Sequence, residues 1–161
     1  MTTHNDAVRD HLARLLDWRE AHVGFEAAVD GIGPGHRGKT PPGLPYSAWQ
    51  ILEHIRLAQN DILDFCVNSS YREKKWPDDY WPKNPAPPSD AAWDESVASC
   101  VRDRDALKQL VRDPKADLSA KIPHGTGQTY LREALLVADH TSYHVGQLVL
   151  VRRLLGIWPA A

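Results

Sequence analysis

Three proline- and glycine-rich segments constrain most strongly what this 161-residue chain can fold into. The richest of them, residues 31–45, contains five Gly and four Pro. Proline lacks a backbone N–H and its ring collides with the preceding helical turn, so this segment is predicted to contain neither a helix nor a central strand. Residues 71–88 and 113–127 interrupt the chain in the same way. Four longer stretches remain between and around these breaks.

Each of the four stretches places apolar residues at the period of an α-helix. We predict helices over residues 6–29, from 47 to about 67, from 89 to about 113, and over 128–155. No stretch keeps the two-residue alternation of a half-buried strand. The sequence therefore predicts an all-α fold, a four-helix bundle with long crossover loops, in a single domain covering residues 1–161.

Local signals define several helix ends. Ser47 and Gln50 form a capping box, in which each side chain satisfies a free backbone N–H of the other residue. Ser89 is predicted to cap the third helix, and Gly156 to end the fourth. The segment 71–88 holds two Trp and two Tyr, which is too aromatic for a disordered linker. We expect it to fold back over one end of the domain.

Charge and composition exclude several classes of function. The formal net charge is −2, with no block of like charge, which argues against a nucleic-acid groove and against an anionic membrane surface. No apolar run is long enough to span a bilayer, and the first residues lack the apolar stretch of a secretory signal. We expect a cytoplasmic protein, with Cys66 and Cys100 as buried free thiols. A disulfide between two neighbouring helices is the alternative.

His140 and His144 are the first candidate metal ligands. Four residues apart in a helix, they lie about 40° apart on one face, where two imidazoles can share an ion. Val137, Leu148 and Val151 continue the same stripe, so both histidines are expected to point inward. The spacing alone is weak evidence, since two buried histidines hydrogen-bonded to neighbours would give the same pattern. Thr141 stands where a zinc-protease HExxH motif has Glu, which excludes that class.

His54 is the candidate third ligand. It falls beside the apolar stripe of the second predicted helix, and bundles build metal sites from inward side chains of facing helices. Three histidines would leave open positions for water or substrate, as in catalytic sites. Neutral imidazoles suit a divalent transition metal such as Zn, Ni, Fe or Cu, and the sequence does not select among them.

Three further residues are candidates for the surroundings of this site. Asp61 lies two turns after His54 and is predicted either to be an exposed carboxylate or to act as a fourth ligand or a contact of the ligands. His124 precedes the fourth helix and is expected to overhang the site. Tyr143 is expected to hydrogen-bond near the site, or else to be a core tyrosine with a satisfied hydroxyl. The remaining histidines are expected to be exposed: His4, His11, His22 and His36.

A family resemblance supports this set of ligands. Trp49 and His54, together with the stretch GQTYLREALLVADHTSYHVGQLVLVRRLLGIWP at 127–159, resemble the DinB-like family of damage-inducible and YfiT-like metal-dependent proteins. The resemblance implies a four-helix bundle, commonly dimeric, with a divalent metal held by three histidines. These match His54, His140 and His144. Activities in relatives include thiol-dependent transferases and isomerases that use low-molecular-weight thiols.

Two functions follow from these patterns. The first is a metal-dependent enzyme acting on a small molecule, either a hydrolase using metal-activated water or a transferase using a low-molecular-weight thiol. The alternative is a non-catalytic, stress-related protein that binds a metal or a small ligand. Residues 145–155 are apolar on most of their circumference, which indicates burial on more than one side and a homodimer. Gly146 is predicted to mark a close helix–helix approach.

Overall fold

The computed structural model describes residues 4–159, and in that range it is built from helices. Within residues 4–159, the only strand-like pairing is one bridge between Lys121 and Thr129. The six helices are α1 (His4–Leu15), α2 (Phe25–Val29), α3 (Pro34–Arg37), α4 (Ala48–Val67), α5 (Asp90–Arg112) and α6 (Tyr130–Leu154). The all-α prediction is confirmed, with six helices among these residues where four were predicted.

The first predicted helix, over residues 6–29, is wrong in its extent. α1 ends at Leu15, and α2 begins at Phe25 after Gly24, whose backbone is extended. The apolar pattern already weakens over the six residues between Leu16, which is buried, and Val23, which is exposed. A stripe without its middle members buries too little apolar surface to hold a continuous helix.

The segment 31–45 contains one helical turn, although it was predicted to contain none. α3 begins at Pro34, in the first turn, where the missing N–H would have no partner inside the helix in any case. Proline therefore permits a helix start here and only excludes a helix interior.

The predicted ends of the other helices are confirmed closely. Ser47 and Gln50 form the capping box at the start of α4, and Ser89 accepts a hydrogen bond from the Ala92 amide at the start of α5. α6 begins two residues later than predicted, because Thr129 caps it. Gly156 follows α6 with φ at +70°, a conformation that residues with a side chain rarely adopt.

α4 occupies the middle of the fold and contacts both α5 and α6. Leu52, Ile55 and Leu148 are completely buried where α4 meets α6. A second apolar cluster joins α1 to the C-terminal half of α5 and the N-terminal half of α6. Cys66 and Cys100 are free and buried, as predicted, and burial raises the pKa of each thiol to about 12.

The aromatic segment 71–88 folds back on the first turns of α4. The Ser47 hydroxyl donates to the Pro85 carbonyl, and the Gln50 side-chain amide donates to the Pro82 carbonyl at 3.1 Å. The N-terminal cap of α4 therefore also anchors the loop that passes over it. Among residues 4–159, no helix combines the length and the apolar character needed to cross a bilayer.

Candidate metal centre

α4 and α6 bring the three predicted histidines together. His54 stands in the second turn of α4, while His140 and His144 stand one turn apart on α6. One ring nitrogen from each lies within 4.8 Å of the other two. His54 and His144 are buried and His140 is half-buried. In the described part of the chain, these three form the one cluster of His, Cys, Asp or Glu that could hold a metal ion.

The spacing of the nitrogens suits a shared ion. Nε2 of His54 lies 3.0 Å from Nε2 of His140. Two nitrogens bound to one tetrahedral zinc at its usual bond length are about 3.3 Å apart. The two rings therefore stand at nearly the separation that a common ion requires, and little movement would be needed to accept it.

On two of the three histidines, a hydrogen bond determines which ring nitrogen carries the proton and which is left unprotonated. Nδ1 of His54 lies 3.0 Å from the Tyr80 carbonyl, and Nδ1 of His144 lies 2.7 Å from the Gln147 amide oxygen. Both partners are oxygen atoms that only accept, so each Nδ1 carries the proton. Each Nε2 then presents a lone pair toward the centre of the cluster. Such outer hydrogen bonds are typical of metal-binding histidines.

Burial keeps the three rings in the neutral form that binds metals. It lowers the pKa of His140 to about 3 and that of His144 to about 4, and it also lowers the pKa of His54. The charges that neighbouring rings would carry contribute to these low pKa values of His140 and His144. Near pH 7 all three imidazoles are therefore uncharged nitrogen donors.

Aromatic rings enclose the cluster on the side of α4. The Trp81 ring stacks on His54 with 3.8 Å between ring centroids, and Tyr46 stacks on Trp81 at 4.0 Å. Trp76 and Tyr143 are both mainly exposed, and their rings lie 6.1 Å from His54 and 5.0 Å from His144, respectively. The site thus has a packed aromatic wall and two exposed rings beside it.

Asp61 is buried, so the alternative of an exposed carboxylate is wrong. It accepts hydrogen bonds from the hydroxyls of Tyr80, at 2.6 Å, and Tyr71, at 3.2 Å, and it pairs with Lys74 at 3.7 Å. It does not belong to the cluster of three histidines. Its connection to that cluster runs through Tyr80, whose carbonyl accepts the hydrogen bond of His54.

His124 lies near Asp61 and outside the cluster of three histidines. Its Nε2 is 2.9 Å from the Phe65 carbonyl, and it lines a polar cavity of about 520 Å³ together with Asp61, Tyr71 and Tyr80. Tyr143 is 64% exposed, so the alternative of a core tyrosine is wrong.

Among the described side chains, the remaining histidines do not belong to the cluster of three histidines. His11 and His22 are exposed as expected, whereas His36 is half-buried. The side chain of His4 lies outside the described residues.

Sequence reasoning missed three contributors to this site: the Tyr80 carbonyl, the Trp81 ring and the Gln147 side chain. Gln147 follows His144 by three residues, a spacing at which helical side chains meet, and this signal was available. The aromatic content of 71–88 predicted that the segment would pack on the domain. Nothing in it indicated which residue would face His54.

Comparison with known proteins gives one match. A model of the DinB superfamily matches residues 10–148, which include all three histidines of the cluster. Neither the curated proteins nor the solved structures contain a match.

Proposed function

The chain belongs to the DinB superfamily, and from this premise we propose that it is a metal-dependent enzyme whose divalent transition metal is bound by His54, His140 and His144. The observation that carries the proposal is the convergence of three neutral imidazoles, two of which have Nδ1 bonded to an oxygen and Nε2 unprotonated. Nitrogen donors without a carboxylate suit Zn, Ni or Fe.

Three protein ligands leave coordination positions for a small molecule. A bound divalent cation would supply Lewis-acid chemistry, stabilising the deprotonated form of a thiol or of water. The chain itself holds the ligand rings in place, with Gln147 behind His144 and Trp81 across the face of His54. The exposed rings of Trp76 and Tyr143 offer surfaces for a substrate beside the cluster.

Of the two reactions, we favour transfer of a low-molecular-weight thiol to an electrophilic small molecule. Hydrolysis by activated water usually employs a neighbouring general base, and the carboxylate of Asp61 is occupied by two tyrosines and a lysine. Thiol transfer needs no such base: the sulfur bonds to the electrophilic carbon, the leaving group departs with its electron pair, and the thiol proton passes to solvent.

We expect metal-loaded protein to convert an electrophilic substrate only when a low-molecular-weight thiol is present. The assay compares a panel of thiols with a panel of esters and amides, using His140→Ala as the inactive control and His11→Ala as the unaffected one. Turnover of esters or amides without thiol would contradict the transferase and identify the protein as a hydrolase. Metal binding without turnover of either panel would support the non-catalytic, ligand-binding alternative.

We also propose that a second copy of the chain covers the outer face of α6. Leu150 and Leu154 are 44% and 53% exposed there, in line with Tyr143. A Cβ added to Gly146 would meet nothing within 4 Å, so the close helix approach predicted there does not occur among residues 4–159. An apolar, open helix face of this kind is suited to a partner helix.

The double variant Leu150→Glu/Leu154→Glu is expected to sediment as a monomer, because two buried charges at the contact would be unpaired. The unmodified protein is expected at twice the chain mass of 18.1 kDa in analytical ultracentrifugation. Val67→Glu, at a 63% exposed position at the end of α4, is the control and should leave the dimer intact. An unmodified protein that stays monomeric would refute the dimer.

A further inference from the structure

His54 differs from His144 in how its ring is held. Gln147 holds His144 from the same helix, one turn away. His54 instead donates its Nδ1 proton to the carbonyl of Tyr80, which lies in the segment 71–88, outside any helix. The position of that carbonyl, and with it the orientation of the His54 ring, depends on what fixes Tyr80.

The Tyr80 side chain is tied to the helix that carries His54. Its hydroxyl donates to Oδ2 of Asp61 at 2.6 Å, and Asp61 stands seven residues after His54 on α4. α4 therefore binds Tyr80 at two points: His54 contacts the Tyr80 carbonyl, and Asp61 contacts the Tyr80 hydroxyl. A single residue spans the two contacts, so both the backbone and the side chain of Tyr80 are bound by the helix that carries His54.

The chemistry of Asp61 suits an anchor. The residue is only 7% exposed, and a buried carboxylate is costly unless hydrogen-bond donors surround it. Tyr71 and Lys74 supply the remaining contacts. Burial and the hydrogen bond to Asp61 raise the pKa of Tyr80, so its hydroxyl keeps its proton and donates at any physiological pH. The bond between Tyr80 and Asp61 is charge-assisted, which makes it one of the stronger kinds.

We infer that Asp61 and Tyr80 are positioning residues for the metal centre: Asp61 fixes Tyr80, and the Tyr80 carbonyl fixes the proton of His54 on Nδ1, leaving Nε2 for the ion. This inference rests on the proposed metal site. It assigns to Asp61 an indirect role through Tyr80, whereas the sequence suggested either a fourth ligand or a contact of the ligands. Partners of this kind typically contribute about 10- to 100-fold to metal affinity.

Tyr80→Phe tests the inference with the smallest change, since it removes the hydroxyl and keeps the ring beside Trp76. We expect the Co²⁺ affinity, measured by competition with a chelator, to fall about tenfold or more. Tyr71→Phe is the matched control: it removes the other phenol from Asp61, but the Tyr71 hydroxyl has no bond to a residue that contacts His54. The Co²⁺ affinity of Tyr71→Phe should stay within about threefold of that of the unmodified protein.

A second readout on metal-free protein separates positioning from a general loss of structure. In the unmodified chain, ¹⁵N spectra of the imidazoles should show the His54 proton on Nδ1, and in Tyr80→Phe a mixture of both tautomers, while the His144 signals stay unchanged. Asp61→Asn should shift the His54 tautomer in the same direction, and it serves in place of Tyr80→Phe if that variant does not fold.

The two proposals fail in different ways. If the unmodified protein binds Co²⁺ and Tyr80→Phe binds it equally well, with the His54 tautomer unchanged, the positioning role is overturned and the metal site stands. If the unmodified protein binds no metal, the proposed function fails, and the tautomer spectra still decide whether Asp61 and Tyr80 orient His54.

Discussion

Replacing His140 by Ala is expected to lower the affinity for Zn²⁺ or Co²⁺ by more than about 100-fold, because loss of a ligand exceeds the usual loss for an outer hydrogen-bond partner. Two imidazoles would remain, and in the described part of the chain no further His, Cys or carboxylate joins the cluster to replace the third. His140 is half-buried, so its truncation should disturb packing less than that of His144. The measurement is competition with a chromogenic chelator at neutral pH.

His11→Ala is the control for this variant, since His11 is exposed on α1 and away from the cluster. It should bind metal as tightly as the unmodified protein. Thermal unfolding of both metal-free variants shows whether the fold is retained. If His140→Ala bound metal with unchanged affinity, the three histidines would not be the site.

Leu148→Ala is expected to lower the free energy of unfolding by about 2–5 kcal/mol. Leu148 is completely buried and belongs to the apolar cluster that joins α6 to α4. Its truncation removes buried apolar surface and leaves a cavity that close-packed neighbours fill only in part. The loss is a large share of a total stability of about 5–15 kcal/mol, and urea denaturation of metal-free protein measures it.

Leu135→Ala is the matched control, because Leu135 lies on the same helix and is 45% exposed. Its effect on unfolding should stay within about 0.5 kcal/mol. Similar losses for the two variants would mean that the contact between α4 and α6 is not the stabilising core. That contact also sets the distance from His54 to the two histidines of α6, so its integrity matters for the site.

The parts of the fold that could be predicted are those with local signals. Ser47, Ser89 and Gly156 mark helix ends through hydrogen bonds or backbone angles that depend on a few neighbouring residues. The predictions of helix boundaries failed where contacts between residues distant in the sequence determine the structure. The end of α1 at Leu15 is indicated only by the gap in the apolar pattern after Leu16, and Pro34 is compatible with a helix start as well as with a loop.

The same distinction applies to the site. The four-residue spacing of His140 and His144 placed them on one face, and the apolar stripe of α4 placed His54 inward. The burial of Asp61 could not be predicted, because its partners Tyr71 and Tyr80 come from a segment without periodicity. Tyr143 next to a buried histidine was equally ambiguous, since neighbouring residues of a helix point about 100° apart.

The most direct test of the central claim is the metal stoichiometry of protein stripped with a chelator and titrated with Zn²⁺ or Co²⁺, with X-ray absorption at the metal edge to identify the ligands. The three-histidine site predicts one equivalent per chain, with imidazole nitrogens as the protein ligands. Uptake of less than about a tenth of an equivalent, or a bound ion without imidazole nitrogen around it, would contradict the proposed site.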